Sequence, residues 1–425
     1  MRYQAYTLKN YLTLSQVQSS LSPAEIEAIR VVGNVLPFKA NNYVVNELID
    51  WGNLSNDPIY HLTFPQKEML SHKHFQEIEK ALKNNLSAPE LKSIVDNIRY
   101  DLNPNSSGQM ENIPVLGEVK LSGMQHQYNE TILFFPRSSQ TCHAYCTFCF
   151  RWPQFVGIDD LKFAAQETSL LVEYLQQHPE VTDVLFTGGD PLVMSAKKLQ
   201  EYIDPLLNAD LPNLQTIRIG TKALSYWPYR FVSDKDSDDL LRLFEKVVNS
   251  GVQLAFMAHF NHSNELKTKV LETAIKRIRN TGAVIRTQSP IMNHINNSAD
   301  EWAEMWKRQV NLGCIPYYMF VARDTGAQKY FAVTLEDAWK VYREAYSKVS
   351  GLARTVRGPI MSANPGKVQV LGVNEINNEK IFNLMFTQGR NPNWVGQPFF
   401  AKYNPDAIWL NDLKPIDGKS KFFFE

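Results

Sequence analysis

Cysteine is scarce in this chain: there are four in 425 residues, too few and too unevenly placed for a disulfide framework, which would spread its cysteines to staple distant segments. Three fall together at Cys142, Cys146 and Cys149. The fourth, Cys314, stands alone in Leu312-Gly313-Cys314-Ile315-Pro316 and reads as a buried small apolar residue. An excess of charge of one sign is also missing. Lys and Arg total 44, as do Asp and Glu, which excludes bulk attraction to nucleic acid or to an anionic membrane. Apolar runs such as Val184-Leu185-Phe186 are short, whereas a spanning helix needs about 20 such residues. The opening Met1-Arg2-Tyr3-Gln4 has no apolar leader segment. These absences predict a soluble, cytoplasmic protein with a large buried core, and in a reducing compartment clustered cysteines point to a metal.

Residues 1–125 read as a helical N-terminal extension. Ser22-Pro23-Ala24-Glu25 is a capping box with proline at the first helical position. Helical periodicity returns over Phe75–Tyr100, and a loop follows at 103–108. From 126 to 333 the pattern changes. Six β-rich runs, Thr131–Phe135, Asp183–Thr187, Thr216–Gly220, Gln253–His259, Val284–Gln288 and Pro316–Val321, alternate with helical stretches at 163–177, 196–207, 264–279 and 299–311. Such alternation predicts an α/β fold with a parallel sheet. Six units are too few for a full eight-stranded barrel, so the expectation is a partial (β/α)6 barrel with its chemistry at the C-terminal ends of the strands. A further amphipathic helix at 335–350 opens a C-terminal lobe spanning 334–425.

The run Thr141-Cys142-His143-Ala144-Tyr145-Cys146-Thr147-Phe148-Cys149-Phe150 has the spacing C-x3-C-x2-C and lies directly after the first predicted strand. Iron–sulfur clusters normally take four thiolates, so three leave one iron free of protein. Phe148 suits a loop that shields such a cluster from water. The second predicted strand ends in Thr187-Gly188-Gly189-Asp190-Pro191, where glycines permit close approach and Asp190 offers an acceptor for a cationic amine. Thr221, after the third strand, and Gln288, ending a later one, complete a candidate pocket. The cysteine spacing matches the signature of the radical S-adenosylmethionine superfamily. That match implies a 4Fe–4S cluster whose open iron chelates S-adenosylmethionine and cleaves it to a 5′-deoxyadenosyl radical.

Taken together, these blocks resemble the lysine 2,3-aminomutase family over roughly residues 35–400. The resemblance rests on the cysteine loop, Leu185–Leu192, Ile217–Lys222, His259-Phe260-Asn261-His262, Gln288-Ser289 and Pro316-Tyr317-Tyr318-Met319. It implies pyridoxal 5′-phosphate held as a Schiff base by Lys367, in Ala363-Asn364-Pro365-Gly366-Lys367, so that an amino group can migrate from C2 to C3. It also implies that Arg151 pairs with the substrate carboxylate, for which a planar fork is suited. An amino acid would be the substrate and a small protein such as flavodoxin or ferredoxin the reductant. Homo-oligomers are compatible with this reading, and neither nucleic acid nor membrane enters it.

Several positions depart from the family pattern. The arginines that grip the cofactor phosphate are absent from His126-Gln127-Tyr128-Asn129-Glu130-Thr131, and Thr147 follows Cys146; Arg137 is a candidate replacement. The lysine loop is about two glycines short. The aspartates that hold the lysine ε-ammonium fall at Arg323 and near Ser362 or Asn364, while Asp324 lies one residue along. A cation at Arg323 repels an ammonium, so an acidic or neutral amino acid is expected instead of lysine. With no cysteine after Cys314, the family's structural zinc site cannot be built. Two other readings stay open: a radical enzyme that dispenses with pyridoxal phosphate, and a non-enzymatic iron–sulfur or zinc module completed by His143 or a distant histidine.

Overall fold

A computed structural model describes residues 1–104, 111–157, 164–165, 168–416 and 418–425. The capping box at Ser22 forms as expected. The Glu25 amide donates to Ser22 Oγ at 3.3 Å and the Ser22 amide to Glu25 Oε2 at 2.7 Å, starting the helix Pro23–Val35. This helix lies between β1 (Ala5–Thr7) and β2 (Lys39–Asn41), which pair antiparallel. Helices Pro58–Thr63, His72–Lys83 and Ala88–Asp101 follow. Part of the expected loop, 105–108, is outside the described residues. A short ribbon of β3 (Val115–Leu116) and β4 (Val119–Lys120) leads into the main sheet.

That sheet has eleven strands in chain order: β5 (Met124–Tyr128), β6 (Thr131–Phe134), β7 (Asp183–Phe186), β8 (Thr216–Thr221), β9 (Gln253–His259), β10 (Val284–Ile291), β11 (Ile315–Val321), β12 (Arg357–Ser362), β13 (Gly366–Ile376), β14 (Glu379–Gly389) and β15 (Pro398–Lys402). Neighbours from β6 to β12 pair parallel, and the rest are antiparallel. The six expected strands are β6 to β11. Helix Leu335–Ser347 and β12, read from sequence as part of the C-terminal lobe, carry the alternation on to a seventh parallel strand. The helix expected over 163–177 is described as Ser169–Gln177, with 163, 166 and 167 outside the described residues. The alternation reading missed helix Ser237–Asn249, between β8 and β9.

One face of the parallel strands is dry. Val184, Phe186, Ile217, Ile219, Leu254, Phe256 and Ile285 are buried in the core cluster that includes residues of the crossover helices. The opposite face carries Asp183, Arg218, Arg286 and Tyr317, all only half-buried. A parallel sheet with two dry faces reads as unbroken apolar strands, so this second face lines a polar interior.

The sheet is strongly curved. In a flat sheet with ~4.8 Å between strands, β5 and β12 would stand roughly 34 Å apart. Instead, the Gln127 side chain on β5 donates to the Asn364 carbonyl, in the turn after β12, at 2.9 Å. The N-terminal helices bury Val32, Ile59 and Phe64 in one cluster with Trp152, Trp227, Met292 and Phe331, which follow β6, β8, β10 and β11. The extension therefore covers the C-terminal ends of the strands, where the cysteine loop sits. Among the described residues, no helix is long and apolar enough to cross a membrane.

Candidate active site

The cysteine loop follows β6 and is held by the N-terminal extension. Lys39 Nζ donates to the Cys142 carbonyl at 2.7 Å, and the Tyr145 amide donates to the Lys39 carbonyl at 2.7 Å. Asn41 Nδ2 bridges the carbonyls of His143, at 3.1 Å, and Tyr226, at 2.9 Å. The Thr147 amide and hydroxyl donate to the carbonyls of Leu62, at 2.9 Å, and His61, at 2.7 Å. Phe148 meets Phe331 edge-on. Sequence reasoning missed these anchors, because nothing in Lys39-Ala40-Asn41 marks it as a partner of residues a hundred positions away.

Cys142, Cys146 and Cys149 are free and half-buried. Burial pushes the Cys146 thiol up to about 12, the Cys149 thiol up to about 11, and the Cys142 thiol well above its ordinary range. A buried thiolate is costly until a cation neutralises it, and binding of a metal centre deprotonates such thiols outright. Among the described residues no group of three or more His, Cys, Asp or Glu is gathered to hold one metal ion. A lone zinc needs four ligands at ~2.0–2.3 Å, whereas a cluster gives each cysteine its own iron. Three thiolates on one loop suit a cluster with one iron left free of protein. Cys314 is buried in the core, away from this loop.

Gly188 and Gly189 bring the turn after β7 directly onto the cysteine loop. A Cβ on Gly189 would lie 2.2 Å from the Thr141 carbonyl oxygen, and one on Gly188, whose φ is +137°, would lie 2.7 Å from Ser139 Oγ. Here glycine serves the approach of two backbones. The Asp190 carboxylate is buried and accepts from the amides of Leu192 and Lys222, at 3.0 and 2.9 Å, and from the Thr221 hydroxyl, at 2.8 and 2.9 Å. Burial raises its pKa to about 6. Asp190 and Thr221 thus hold each other. Beside them, Lys222 Nζ pairs with the fully buried Glu265 at 2.6 Å and with Asn261 Oδ1 at 2.7 Å. Gln288 Nε2 lies 2.6 Å from His259 Nε2. Burial lowers His259 to about 3, so the neutral ring accepts at Nε2 and carries its proton on Nδ1.

Arg151 and Arg323 meet over Phe150, with guanidinium carbons 5.0 and 5.1 Å from the ring centroid. Burial lowers Arg151 to about 10 and Arg323 below its usual range, and the neighbouring Arg323 cation depresses Arg151 further. Arg323 Nε is buried without a hydrogen bond, and its nearest acid, Asp324, is 4.0 Å away. No acid pairs with Arg151 among the described residues. Half-buried, incompletely paired cations carry part of a desolvation cost that an incoming anion relieves.

Lys367 opens β13. Its Nζ lies 4.9 Å from the Tyr318 centroid and 5.2 Å from that of Tyr128, and donates to Gln388 Oε1 at 2.5 Å. Burial, then the cations Arg218 and Arg357, lower it to about 7. A neutral amine is the form that attacks a carbonyl, so this environment fits a pyridoxal-binding lysine. A Cβ on Gly366 would meet the Gln388 carbonyl at 2.2 Å, which explains glycine before the lysine. Asn364 is exposed on the outer side of the turn, bonded to Arg390 at 2.6 and 2.8 Å, apart from the Arg151–Arg323 pair. Arg137 is exposed. Sequence reasoning missed Arg286 and Arg357 and gave Arg218 no role at the lysine. A signal for two of them was present: Ile217-Arg218-Ile219 and Ile285-Arg286-Thr287 each place a charge in mid-strand.

No family model matches the chain. It is 32% identical over 385 residues, 90% of this chain and 89% of the other, to a protein of Aquifex aeolicus (strain VF5) described as "Putative L-lysine 2,3-aminomutase". L-lysine 2,3-aminomutase of Escherichia coli (strain K12) is 25% identical, over 55% of this chain and 66% of its own. Glutamate 2,3-aminomutase of Clostridioides difficile (strain 630) is 27% identical, over 50% and 47%. Among solved structures, a radical SAM methyltransferase from Sphaerobacter thermophilus aligns with a TM-score of 0.38 at 12% identity, over 55% of this chain and 68% of that one, too little to argue from. The relatives define the class: a radical S-adenosylmethionine enzyme of the isomerase type, which implies a 4Fe–4S cluster and S-adenosylmethionine. Within that class, the chain belongs to the lysine 2,3-aminomutase family.

Proposed function

We propose that this protein is an amino-acid 2,3-aminomutase that acts on an acidic or neutral amino acid in preference to lysine, with pyridoxal phosphate as a third cofactor. Cys142, Cys146 and Cys149 would hold the cluster. The turn at Gly188, Gly189 and Asp190, with Thr221 and Gln288, would border S-adenosylmethionine. Lys367 would hold pyridoxal phosphate, and Arg151 would orient the substrate carboxylate. The cluster and S-adenosylmethionine supply a hydrogen-abstracting radical, and pyridoxal phosphate supplies the conjugated carbonyl through which an amino group moves. Curvature that brings Gln127 to Asn364 supports a partial barrel around this site. An N-terminal extension, a barrel and a C-terminal lobe in the cytoplasm complete the reading.

The observation that carries the substrate preference is the Arg151–Arg323 pair over Phe150. Two half-buried guanidiniums favour a carboxylate and oppose the ε-ammonium of lysine, since like charges brought together cost on the order of several kcal/mol. Asn364, exposed and bonded to Arg390, would stand apart from that pair. The test is anaerobic incubation of the reconstituted enzyme with all the amino acids, scored for 5′-deoxyadenosine and β-amino products. Product from glutamate or a neutral amino acid is expected. Faster turnover of lysine than of glutamate would reject the preference.

A further inference from the structure

Arginines are missing from the stretch His126–Thr131, yet three strands each bring one to the interior near Lys367. Arg286 on β10 lies with its guanidinium 5.2 Å from the Tyr317 centroid, and Arg357 on β12 lies 4.6 Å from the same ring. Arg357 is also 4.5 Å from Tyr318, the ring over which Lys367 Nζ sits at 4.9 Å. A continuous path of cation–ring contacts therefore links Arg286 through Arg357 to Lys367. Arg218 on β8 differs from the other two: it pairs with Asp183 at 2.6 Å and donates to Thr131 Oγ1 at 3.1 Å. No acid pairs with Arg286 or Arg357 among the described residues. Both are only half-buried and reach the polar interior.

Stacking on tyrosine fixes a guanidinium plane while leaving its N–H edges free, and those edges form a bidentate fork for phosphate. Asp183 pairs with Arg218, so Arg286 and Arg357 bring to the interior positive charge with no acid partner among the described residues, which a dianion would neutralise. A surface of ordinary packing residues would not produce this. Arg286 and Arg357 come from strands separated by β11, and they converge through a residue of that strand, Tyr317.

We propose that Arg286 and Arg357 form the phosphate subsite for pyridoxal phosphate in this chain, taking the place of the arginines absent from 126–131. This rests on the reading of Lys367 given above. Arg218, tied to Asp183, acts as a positioning residue that adds positive charge beside the lysine.

Equilibrium binding to the full-length, anaerobically reconstituted protein tests the assignment, with pyridoxal phosphate, pyridoxal and inorganic phosphate as probes. The wild type should bind pyridoxal phosphate at least about tenfold more tightly than pyridoxal, a difference of about 1.4 kcal/mol, and inorganic phosphate should compete. Arg286→Gln and Arg357→Gln should lose that preference, read as the ratio of the two affinities because Arg357 also lowers the Lys367 amine, and Arg357→Lys should restore part of it. An undiminished preference in both glutamine variants would overturn the subsite, as would a wild type that binds the two aldehydes alike. Should the glutamine variants fail to fold, a wild type insensitive to inorganic phosphate overturns it too. A wild type that yields no borohydride-trapped pyridoxyl adduct on Lys367 removes the cofactor reading itself, and this inference with it.

Discussion

The two halves of the site are built in opposite ways. At the C-terminal ends of the strands, the cysteine loop and the Gly188–Asp190 turn are joined by backbone: amides of Gly189 and Asp190 donate to the carbonyls of Ser139 and Thr141 at 2.8–3.1 Å, and the polar groups of Asp190 and Thr221 satisfy each other. In the interior around Lys367, the contacts are side chain on side chain, cation over ring, with the Tyr128 hydroxyl buried and unbonded. A region closed by its own backbone has one geometry whether or not a ligand is present. A region with unpaired cations and an unused hydroxyl is where the proposed anion would find its partners.

If that contrast is right, the largest effect should come from the backbone region. Gly189→Ala would push a methyl group against the Thr141 backbone, which cannot rotate away. It should cost about 3 kcal/mol, the upper end for overpacking, and strip iron and sulfide from the purified protein. Near-wild-type thermal stability with full iron content would show that the two turns are not rigidly joined.

Around Lys367 the effect should depend on pH and not on packing. The folded value near 7 lies below the ordinary 10.5. Below pH 7 the amine is protonated, and trapping of a pyridoxyl adduct should fall about tenfold per pH unit. Between pH 7 and 10.5 the unfolded chain binds the extra proton, so the cofactor-free protein should gain stability as pH rises through that window. A flat adduct yield from pH 5 to 9 would mean that the amine is not buried among cations.

The smallest effect should be at the clasp. Lys39→Met removes one donor to the Cys142 carbonyl and leaves Asn41 and Leu62 in place. A loss of about 1–2 kcal/mol is expected, read as a lower melting temperature and faster bleaching of the cluster in air. No change in either would make Lys39 a bystander.

The same contrast explains what the sequence revealed. Cysteines and glycines at fixed spacing announce themselves, because a backbone-built site needs particular residue types at consecutive positions. The six parallel strands were legible from their apolar runs, and their helices from periodicity between them, except Ser237–Asn249, which was missed. β12 was not: Arg357-Gly358-Pro359 opens it with residues that read as a loop. Arg286 and Arg357 were equally hidden. Their meeting on Tyr317 depends on the curvature of the sheet, which no short window of sequence contains. Asn364 illustrates the converse. It lies in the turn before Lys367, but its side chain is bonded to Arg390, 26 positions on.

The clasp on the cysteine loop also bears on the order of events during folding. Lys39, Asn41 and Leu62 emerge from the ribosome well before the loop they hold, and their contacts with it span some of the longest sequence separations in the site. Long-range contacts of this kind form late, after local helices and hairpins. Iron therefore has to be delivered either to a loop not yet clasped or to one already closed, and the timing of metal insertion relative to docking of the first sixty residues would govern the yield of active protein in the cell.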